Sequence, residues 1–353
     1  MNRRVLITGA QGFVGRYLTA EILRTHGGNL AVLGIGRSQR QDDSFTHGVT
    51  WGGKTIAAPL PPEIVNWTSD PRFDYAIADL REPQPVTSII DRFRPTQVFH
   101  LASGLRGDPL GKLLESNIVA TATLLNALAG QADLQHIVLG STCAIYGNVD
   151  AADLPVTETH RCTPANPYAV TKLAAEHLAN ILSEELDLPI SYARMFNLVG
   201  PGQDERHVCG RFAAQIAAIK RARMQPPLKV GRIVSTRDFI DVRDVARALA
   251  IIADEGSHGG AYNLANGEEI SIQRVLNLSL ASAGAADDLV VDTTPDSPLG
   301  AMRHYADISR IRRLGYAPRY PLSQSIDDLY RYYCDQVAMA SCDSDPSEDS
   351  SGS

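Results

Sequence analysis

Tyr168 and Lys172 stand four residues apart, just behind Asn166 and Pro167. Asn166 suits an N-cap and Pro167 the first helical position. The spacing therefore predicts a helix with phenol and ammonium on one face, a turn apart. An ammonium beside a phenol stabilises the phenolate, and an oxidised nicotinamide would add to that effect. The phenol can then exchange a proton with an alcohol or carbonyl while hydride moves to or from a dinucleotide. Both residue types are common on helix surfaces, so the pair gains its weight from two companions. One is the stretch Gly140-Ser141-Thr142-Cys143-Ala144-Ile145-Tyr146-Gly147. Hydroxyls at such a strand end can hold the reacting oxygen against the tyrosine, the alternative being hydroxyls that cap a loop.

The other companion is Arg4 to Gly15. Val5, Leu6 and Ile7 form an apolar run suited to a strand buried on both faces. Beyond Gly15, Tyr17, Leu18, Ile22 and Leu23 recur at helical spacing. Gly9, Gly12 and Gly15 thus lie at a strand-to-helix junction. There glycines serve a tight turn, close backbone approach to a pyrophosphate, and tight helix–strand packing. The helix amino terminus adds free N–H donors and the positive end of its dipole. An ordinary glycine-rich turn is the bland alternative, and the flanking strand and helix favour cofactor binding.

These groups need elements to position them. Strands are expected at Leu30–Ile35, Phe73–Ala78, Gln97–Ala102, His136–Leu139, Ile190–Met195 and Ala261–Leu264. Helices are expected between them, at Val86–Phe93, Leu113–Ala129 and Pro167–Leu186. Strands alternating with helices mean α/β, a doubly wound parallel-sheet Rossmann domain. Ligands in such sheets bind beyond the carboxyl ends of the strands. Those ends carry Gly9–Gly15, Arg37, Asp79, Ser103, Ser141 with Thr142, and Asn197. Gly36 and Arg37 close the second strand where a fold that prefers NAD usually has Asp or Glu for the ribose 2′-OH. An arginine suits a 2′-phosphate, so NADP(H) is expected ahead of NAD(H). The alternative is a solvated arginine, with Asp42 or Asp43 supplying the carboxylate.

Past Asn197 the regularity falls away. Helices are expected at Phe212–Ile219, Val245–Ala253, Ile272–Leu280 and Leu322–Tyr333, with a short strand over Leu228–Gly231. A smaller, discontinuous C-terminal substrate lobe follows. The expected division is 1–196 with 239–265 for the dinucleotide domain, 197–238 with 266–335 for the lobe, and a disordered acidic, Ser-rich tail over 336–353. Gln39–Arg72 reads as an irregular insertion, with room for a short hairpin.

Composition bounds the rest. The chain has 353 residues, 44% hydrophobic and 21% charged, as in globular proteins with a large core. A net charge of −7 gives no case for nucleic acid. Cys143, Cys162, Cys209, Cys334 and Cys342 are odd in number, widely spaced and without C-x-x-C. Neither a disulfide framework nor a metal site is expected, and a reducing cytoplasm is the simplest setting. There is no room for a signal peptide and no apolar run of membrane-spanning length.

At this point the chain resembles the extended short-chain dehydrogenase/reductases that act on nucleotide sugars as epimerases, dehydratases and reductases. The matching segments run from Val5 to about Tyr333. They include Thr8-Gly9-Ala10-Gln11-Gly12-Phe13-Val14-Gly15, Asp79-Leu80, Phe99-His100-Leu101-Ala102, Tyr168 with Lys172, and Arg194-Met195-Phe196-Asn197. The resemblance implies Tyr168 as acid/base, Lys172 orienting it and holding the nicotinamide ribose, and Thr142 with Ser141 at the sugar oxygen. It places the cofactor on Gly9, Gln11, Gly12, Phe13, Val14, Gly15, Arg37, Asp79, Leu80, Leu101, Ala102, Ser103, Tyr168 and Lys172, with Asp79 and Leu80 at the adenine. Asn117 matches a supporting asparagine, whereas His100 reads as a packed strand histidine. Asn197, Arg237 and Arg303 would hold the diphosphate of the nucleotide-sugar substrate, the arginine fork suiting its oxygens. Lys229 and Val230 would line the base. Arg211 and His304 are further candidates, with simple solvation as the alternative. A homodimer through Leu113–Ala129 and Tyr168–Leu186 is the habit of such enzymes.

Within the resemblance, three reactions compete. Gly200-Pro201-Gly202-Gln203, Pro227–Gly231 and Arg237–Val245 resemble GDP-4-keto-6-deoxymannose reductases. Ser141-Thr142-Cys143-Ala144 is nearer to the 4-epimerases, which hold NAD tightly. The 4,6-dehydratases place an acidic residue where Cys143 or Ala144 stands, so dehydration is disfavoured. The expected function is reduction of the C4 keto group of an NDP-4-keto-6-deoxyhexose, ahead of NDP-sugar 4-epimerisation. A non-catalytic NADP sensor is a third reading, against which the retained tyrosine and lysine argue.

Overall fold

The computed structural model describes residues 3–39, 44–51, 53–231, 233–285, 289–292 and 302–343. The alternatives placed on Asp42 and Asp43, and the tail beyond Asp343, lie outside the described residues. The strands are β1 Arg3–Thr8, β2 Leu30–Gly36, β3 Ser44–Trp51, β4 Lys54–Pro59, β5 Phe73–Ile77, β6 Gln97–His100 and β7 His136–Thr142. They continue as β8 Ile190–Met195, β9 Asn197–Val199, β10 Leu228–Val230, β11 Thr236–Arg237, β12 Phe239–Asp241, β13 Ala261–Leu264, β14 Ile270–Ser271 and β15 Val290–Asp292. The helices are α1 Phe13–Thr25, α2 Pro62–Val65, α3 Pro83–Phe93, α4 Leu110–Leu114, α5 Ala120–Leu128 and α6 Pro167–Glu185. After them come α7 Val208–Lys220, α8 Val242–Glu255, α9 Ile272–Ser282, α10 Ser309–Arg312, α11 Leu322–Tyr332 and α12 Ala338–Asp343.

Seven strands form one sheet in the order β13-β8-β7-β6-β1-β2-β5, every pair parallel. Val5, Leu6 and Ile7 are buried, as a strand covered on both faces requires. The order runs outward in both directions from β1. The crevice between β1 and β6 is therefore the switch point at which such sheets take ligands. Thr8 and His100 are paired across it, the Thr8 hydroxyl 2.7 Å from His100 Nδ1. His100 Nε2 meets the Thr121 hydroxyl at 3.0 Å, and burial drives the imidazole pKa down to about 3. It is a neutral, satisfied strand histidine, as expected.

The described residues of the 39–72 insertion are more ordered than the sequence suggests. β3 and β4 form an antiparallel hairpin, with its register shifted between Ser44 and Gly48. Phe45 packs against Phe13 and Tyr17 of α1 and stacks on His47. Arg16, almost wholly buried, lies 5.0 Å over the Trp67 ring and donates to the Ser44 carbonyl at 2.8 Å. The apolar residues of the insertion thus answer to α1 rather than to a period of their own.

The C-terminal lobe is built from small sheets, β10 with β15, β11 with β14, and β12 with β9, together with α7, α9 and α11. Asp238 ties it to the main sheet. Its buried carboxylate accepts the Asn266 and Gly267 N–H groups at 2.9 Å and the Ala306 N–H at 3.2 Å. Burial pushes its pKa up to about 7 against those donors. One expectation fails at the end of the chain. Residues 336–343 are helical, through a wide turn at Tyr333–Val337 and then α12. Val337 is buried in the core, and the Tyr332 and Tyr333 hydroxyls donate to the carbonyls of Pro59 and Gln203.

Candidate active site

The glycine loop shows why it needs its glycines. Gly9 has φ +70°, and a Cβ there would stand 2.8 Å from the Ala102 nitrogen. A Cβ on Gly15 would collide with the Gly9 carbonyl. The loop is thereby drawn against the end of β6, and α1 against the loop. Gly12 is the N-cap of α1, with no side-chain cap and no acidic residue in the first turn. The first N–H groups of α1 are thus left for an anion. Phe13 and Val14 are half-buried at that turn. The Gln11 carboxamide beside them is buried with no hydrogen-bond partner. This cradle, open donors and unpartnered amide fit a dinucleotide pyrophosphate.

Arg37 is exposed at the end of β2, near enough to Asp79 to lower its pKa along with the dominant bond from Arg81. Asp79 accepts from Arg81 at 2.6 Å, and Arg81 also pairs with Glu115. Leu80 is buried below, and Leu101, Ala102 and Ser103 line the end of β6, half-buried. Asn117 lies in a wide helical turn at Glu115–Val119 that interrupts α4 and α5. Its Oδ1 accepts from the Ser103 hydroxyl at 2.9 Å and the Gly104 N–H at 2.8 Å. Its Nδ2 donates to the Thr171 hydroxyl at 2.9 Å. Asn117 therefore links the cofactor-side loop to the helix that carries the tyrosine.

That helix is α6. Asn166 caps it, Oδ1 accepting the Ala169 N–H at 3.0 Å, with Pro167 in the first turn. Tyr168 and Lys172 share a face as the spacing predicted. Burial raises the Tyr168 pKa to about 12, and Thr142 opposes that rise. Lys172 Nζ donates to the Gly140 carbonyl at 2.6 Å. Burial lowers the Lys172 pKa to about 8, and the Glu176 carboxylate opposes that fall. Thr142 also accepts the Ala144 N–H at 3.3 Å. The Ser141 hydroxyl, by contrast, is buried with no partner. Cys143 neighbours Tyr168, and burial pushes its thiol up to about 12.

Most of the residues expected at the substrate are held by the chain itself. Asn197 Nδ2 donates to the Asp238 carbonyl at 2.9 Å. Arg237 Nη1 donates to the Thr236 and Met302 carbonyls at 2.6 and 2.9 Å. Arg303 is clasped by Glu269 through two bonds of 2.6 and 2.7 Å, which hold the Glu269 pKa down near 2. Lys229 is exposed and Val230 buried on β10. Arg211 is exposed on α7, donating to the Glu205 carbonyl at 3.2 Å. His304 is buried and not solvated, because it stacks on Phe196 at 5.2 Å. Glu176, Asp238 and Glu269 were missed by the sequence reading. Glu176 alone left a signal, one helical turn beyond Lys172.

A family model described as the NAD dependent epimerase/dehydratase family matches residues 5–265. The chain belongs to that family. Over 332 residues it is 29% identical to the GDP-6-deoxy-D-mannose reductase of Pseudomonas aeruginosa, spanning 92% of this chain and 95% of the reductase. It is 26% identical to the UDP-glucose 4-epimerase of Mycolicibacterium smegmatis, spanning 94% and 98%. The solved structure of RMD from Pseudomonas aeruginosa, complexed with NADPH, superposes with a TM-score of 0.76 at 26% identity, covering 95% of this chain and 99% of that one. The resemblance to extended short-chain dehydrogenase/reductases is borne out, and with it the α/β Rossmann fold and dependence on NAD(P). Among the described residues no helix is long and apolar enough to cross a membrane.

Proposed function

We propose that this family member is an NADPH-dependent reductase of an NDP-4-keto-6-deoxyhexose, with GDP-4-keto-6-deoxymannose as the first substrate to test. The observation that carries the reading is the likeness to a GDP-6-deoxy-D-mannose reductase over nearly the full length of both chains. Arg37 at the end of β2, in the place of the usual carboxylate, supports NADP(H) over NAD(H).

When bound, the reduced dinucleotide supplies the hydride that reaches C4. The chain's residues do the rest. Gly9, Gly12, Gly15 and the start of α1 take the pyrophosphate, and Lys172 would hold the nicotinamide ribose. Thr142 and Tyr168 close on the C4 oxygen, Tyr168 giving it a proton as the carbonyl becomes an alcohol. Lys172 steadies the phenolate until solvent returns a proton. Asn197, Arg237 and Arg303 take the diphosphate, with Arg211 at its edge, and Lys229 and Val230 take the base. The functional division is then 1–196 with 239–265 against 197–238 with 266–335.

Leu110, Leu114, Val119, Val170 and Ile181 are exposed on the α4–α5 and α6 segments. This apolar face supports a homodimer through those helices. The free thiols of Cys143, Cys162, Cys209 and Cys334 support a cytoplasmic setting.

The test is NADPH oxidation with GDP-4-keto-6-deoxymannose. The reading predicts turnover with release of the oxidised cofactor. The second reading is a 4-epimerase, which the Ser141-Thr142-Cys143-Ala144 motif favours. Interconversion of NDP-hexoses without added cofactor, and no NADPH oxidation, would replace the first reading with the second.

A further inference from the structure

The helix that carries Tyr168 also carries a buried carboxylate one turn beyond its lysine. Lys172 and Glu176 stand four residues apart on α6, a spacing at which ammonium and carboxylate ordinarily pair. Both side chains are buried, where such a pair gains more than at a surface. Yet Lys172 Nζ donates to the Gly140 carbonyl at 2.6 Å, and among the described residues no ion pair joins it to Glu176. Glu176 is engaged from the other side. Arg194 of β8 takes both of its oxygens, Nε donating at 3.2 Å and Nη2 at 2.8 Å. The guanidinium is itself fixed, because Nη1 donates to the Tyr146 hydroxyl at 3.1 Å and the Glu158 carbonyl at 2.8 Å. Glu176 therefore acts on Lys172 only at a distance, opposing the effect of burial without binding the ammonium.

A buried ion pair is weak evidence for stability, since apolar residues of like volume often serve as well. The place of this one gives it another use. Gly140 lies on β7 just before Ser141 and Thr142, and Tyr168 lies one turn before Lys172. An ammonium on the Gly140 carbonyl stays with those hydroxyls, whereas one drawn to Glu176 would move along α6 away from Tyr168. The other titratable groups packed here do not stand in for Glu176. Burial keeps the His100 ring of β6 neutral, and it pushes up the Tyr146 and Tyr192 phenols and the Cys162 thiol. The Glu158 carboxylate accepts the Asn263 N–H at 3.0 Å and faces Arg310 at 3.9 Å. We propose that Arg194 is a positioning residue, which withholds the Glu176 carboxylate from Lys172 and so keeps the ammonium beside the proton-transfer groups. The proposal rests on the reductase reading given above for the roles of Tyr168 and Lys172.

The test is a double-mutant cycle on Arg194→Met and Glu176→Gln. It is read by turnover of GDP-4-keto-6-deoxymannose with NADPH, and by NADPH binding in fluorescence titrations. Arg194→Met frees Glu176 to take Lys172. Turnover should then fall about thirtyfold with KM for the keto sugar retained, and NADPH should bind about fivefold more weakly. The high-pH limb of kcat/KM should move to higher pH, because a carboxylate paired with the ammonium favours its charged form. Adding Glu176→Gln removes the competing carboxylate, so the double variant should recover turnover and NADPH affinity to within about threefold of wild type. A double variant no better than Arg194→Met overturns the proposal and leaves the pair a scaffold, as does unchanged turnover in Arg194→Met. Should Arg194→Met not fold, Arg194→Gln takes its place with the same expectations. If wild type itself reduces no keto sugar, the functional reading falls first, while the NADPH titrations still decide whether Arg194 keeps Glu176 from Lys172.

Discussion

The two halves of the site are prepared differently. On the dinucleotide side the groups that would meet the pyrophosphate are open: the start of α1 carries no cap, and the Gln11 amide has no partner. On the substrate side the groups expected at the diphosphate already have protein partners. Arg237 sits on two carbonyls, Arg303 on Glu269, and Asn197 on the Asp238 carbonyl. The cofactor half is a preformed cradle, held by a sheet whose register leaves little freedom. On the proposed function, the substrate half is held by internal stand-ins that a diphosphate would displace or join. A reductase of this design would seat the pyrophosphate without rearrangement and reach its sugar only after local exchange of hydrogen bonds and of the Arg303–Glu269 ion pair.

The largest expected effect breaks catalysis without touching the cradle. Tyr168→Phe should lower turnover by about a thousandfold. NADPH affinity, followed by fluorescence titration, should stay as in wild type, and a matching loss there would put Tyr168 in the cradle instead. Next comes the substrate half. Arg237→Met should raise KM for the nucleotide sugar by about tenfold to a hundredfold with kcat and NADPH binding retained. A fall in NADPH affinity would show that the halves are not separate.

Lys172 gives the third. It is charged below about pH 8 and neutral above. Reduction leans on that charge to steady the phenolate, so kcat/KM should fall as pH rises past about 8. Glu176 opposes the effect of burial, so Glu176→Gln should move this limb to lower pH. A limb that does not move would detach Glu176 from the lysine. For stability the sign is opposite. Between about 8 and 10.5 the unfolded lysine holds a proton that the folded one lacks. This group therefore adds stability as pH rises through that window, measurable in urea melts.

The smallest effect sharpens the contrast. Glu269→Gln removes the anion on Arg303, and since the pair is partly exposed the gain should be small. KM for the sugar nucleotide should fall about threefold. A rise would mean that Glu269 orients Arg303 for the diphosphate rather than competing with it.

What the sequence made legible follows the same line. The glycine loop, the Tyr168–Lys172 pair and the buried parallel strands are local patterns, each readable within one element and its flanks. Thr142 was legible because it ends β7, and Asn197 because it follows the carboxyl end of β8. Glu269 was hidden, since it meets Arg303 from 34 residues away. His304 was read as an anion ligand or a solvated side chain because nothing beside it in sequence predicts the stack on Phe196. The insertion looked irregular since Phe45 and Trp67 pack on α1 rather than on a face of their own. The helix end at 336–343 was missed because one buried residue, Val337, and two tyrosine hydroxyls anchor it.

One measurement reaches the central claim most directly. The purified protein would be dialysed and denatured, and any released dinucleotide identified by mass spectrometry. The account predicts an empty protein that binds NADPH more tightly than NADH, as a reductase that exchanges its cofactor at each turnover requires. Near-stoichiometric NAD, retained through dialysis, would contradict it and identify a cofactor-holding epimerase instead.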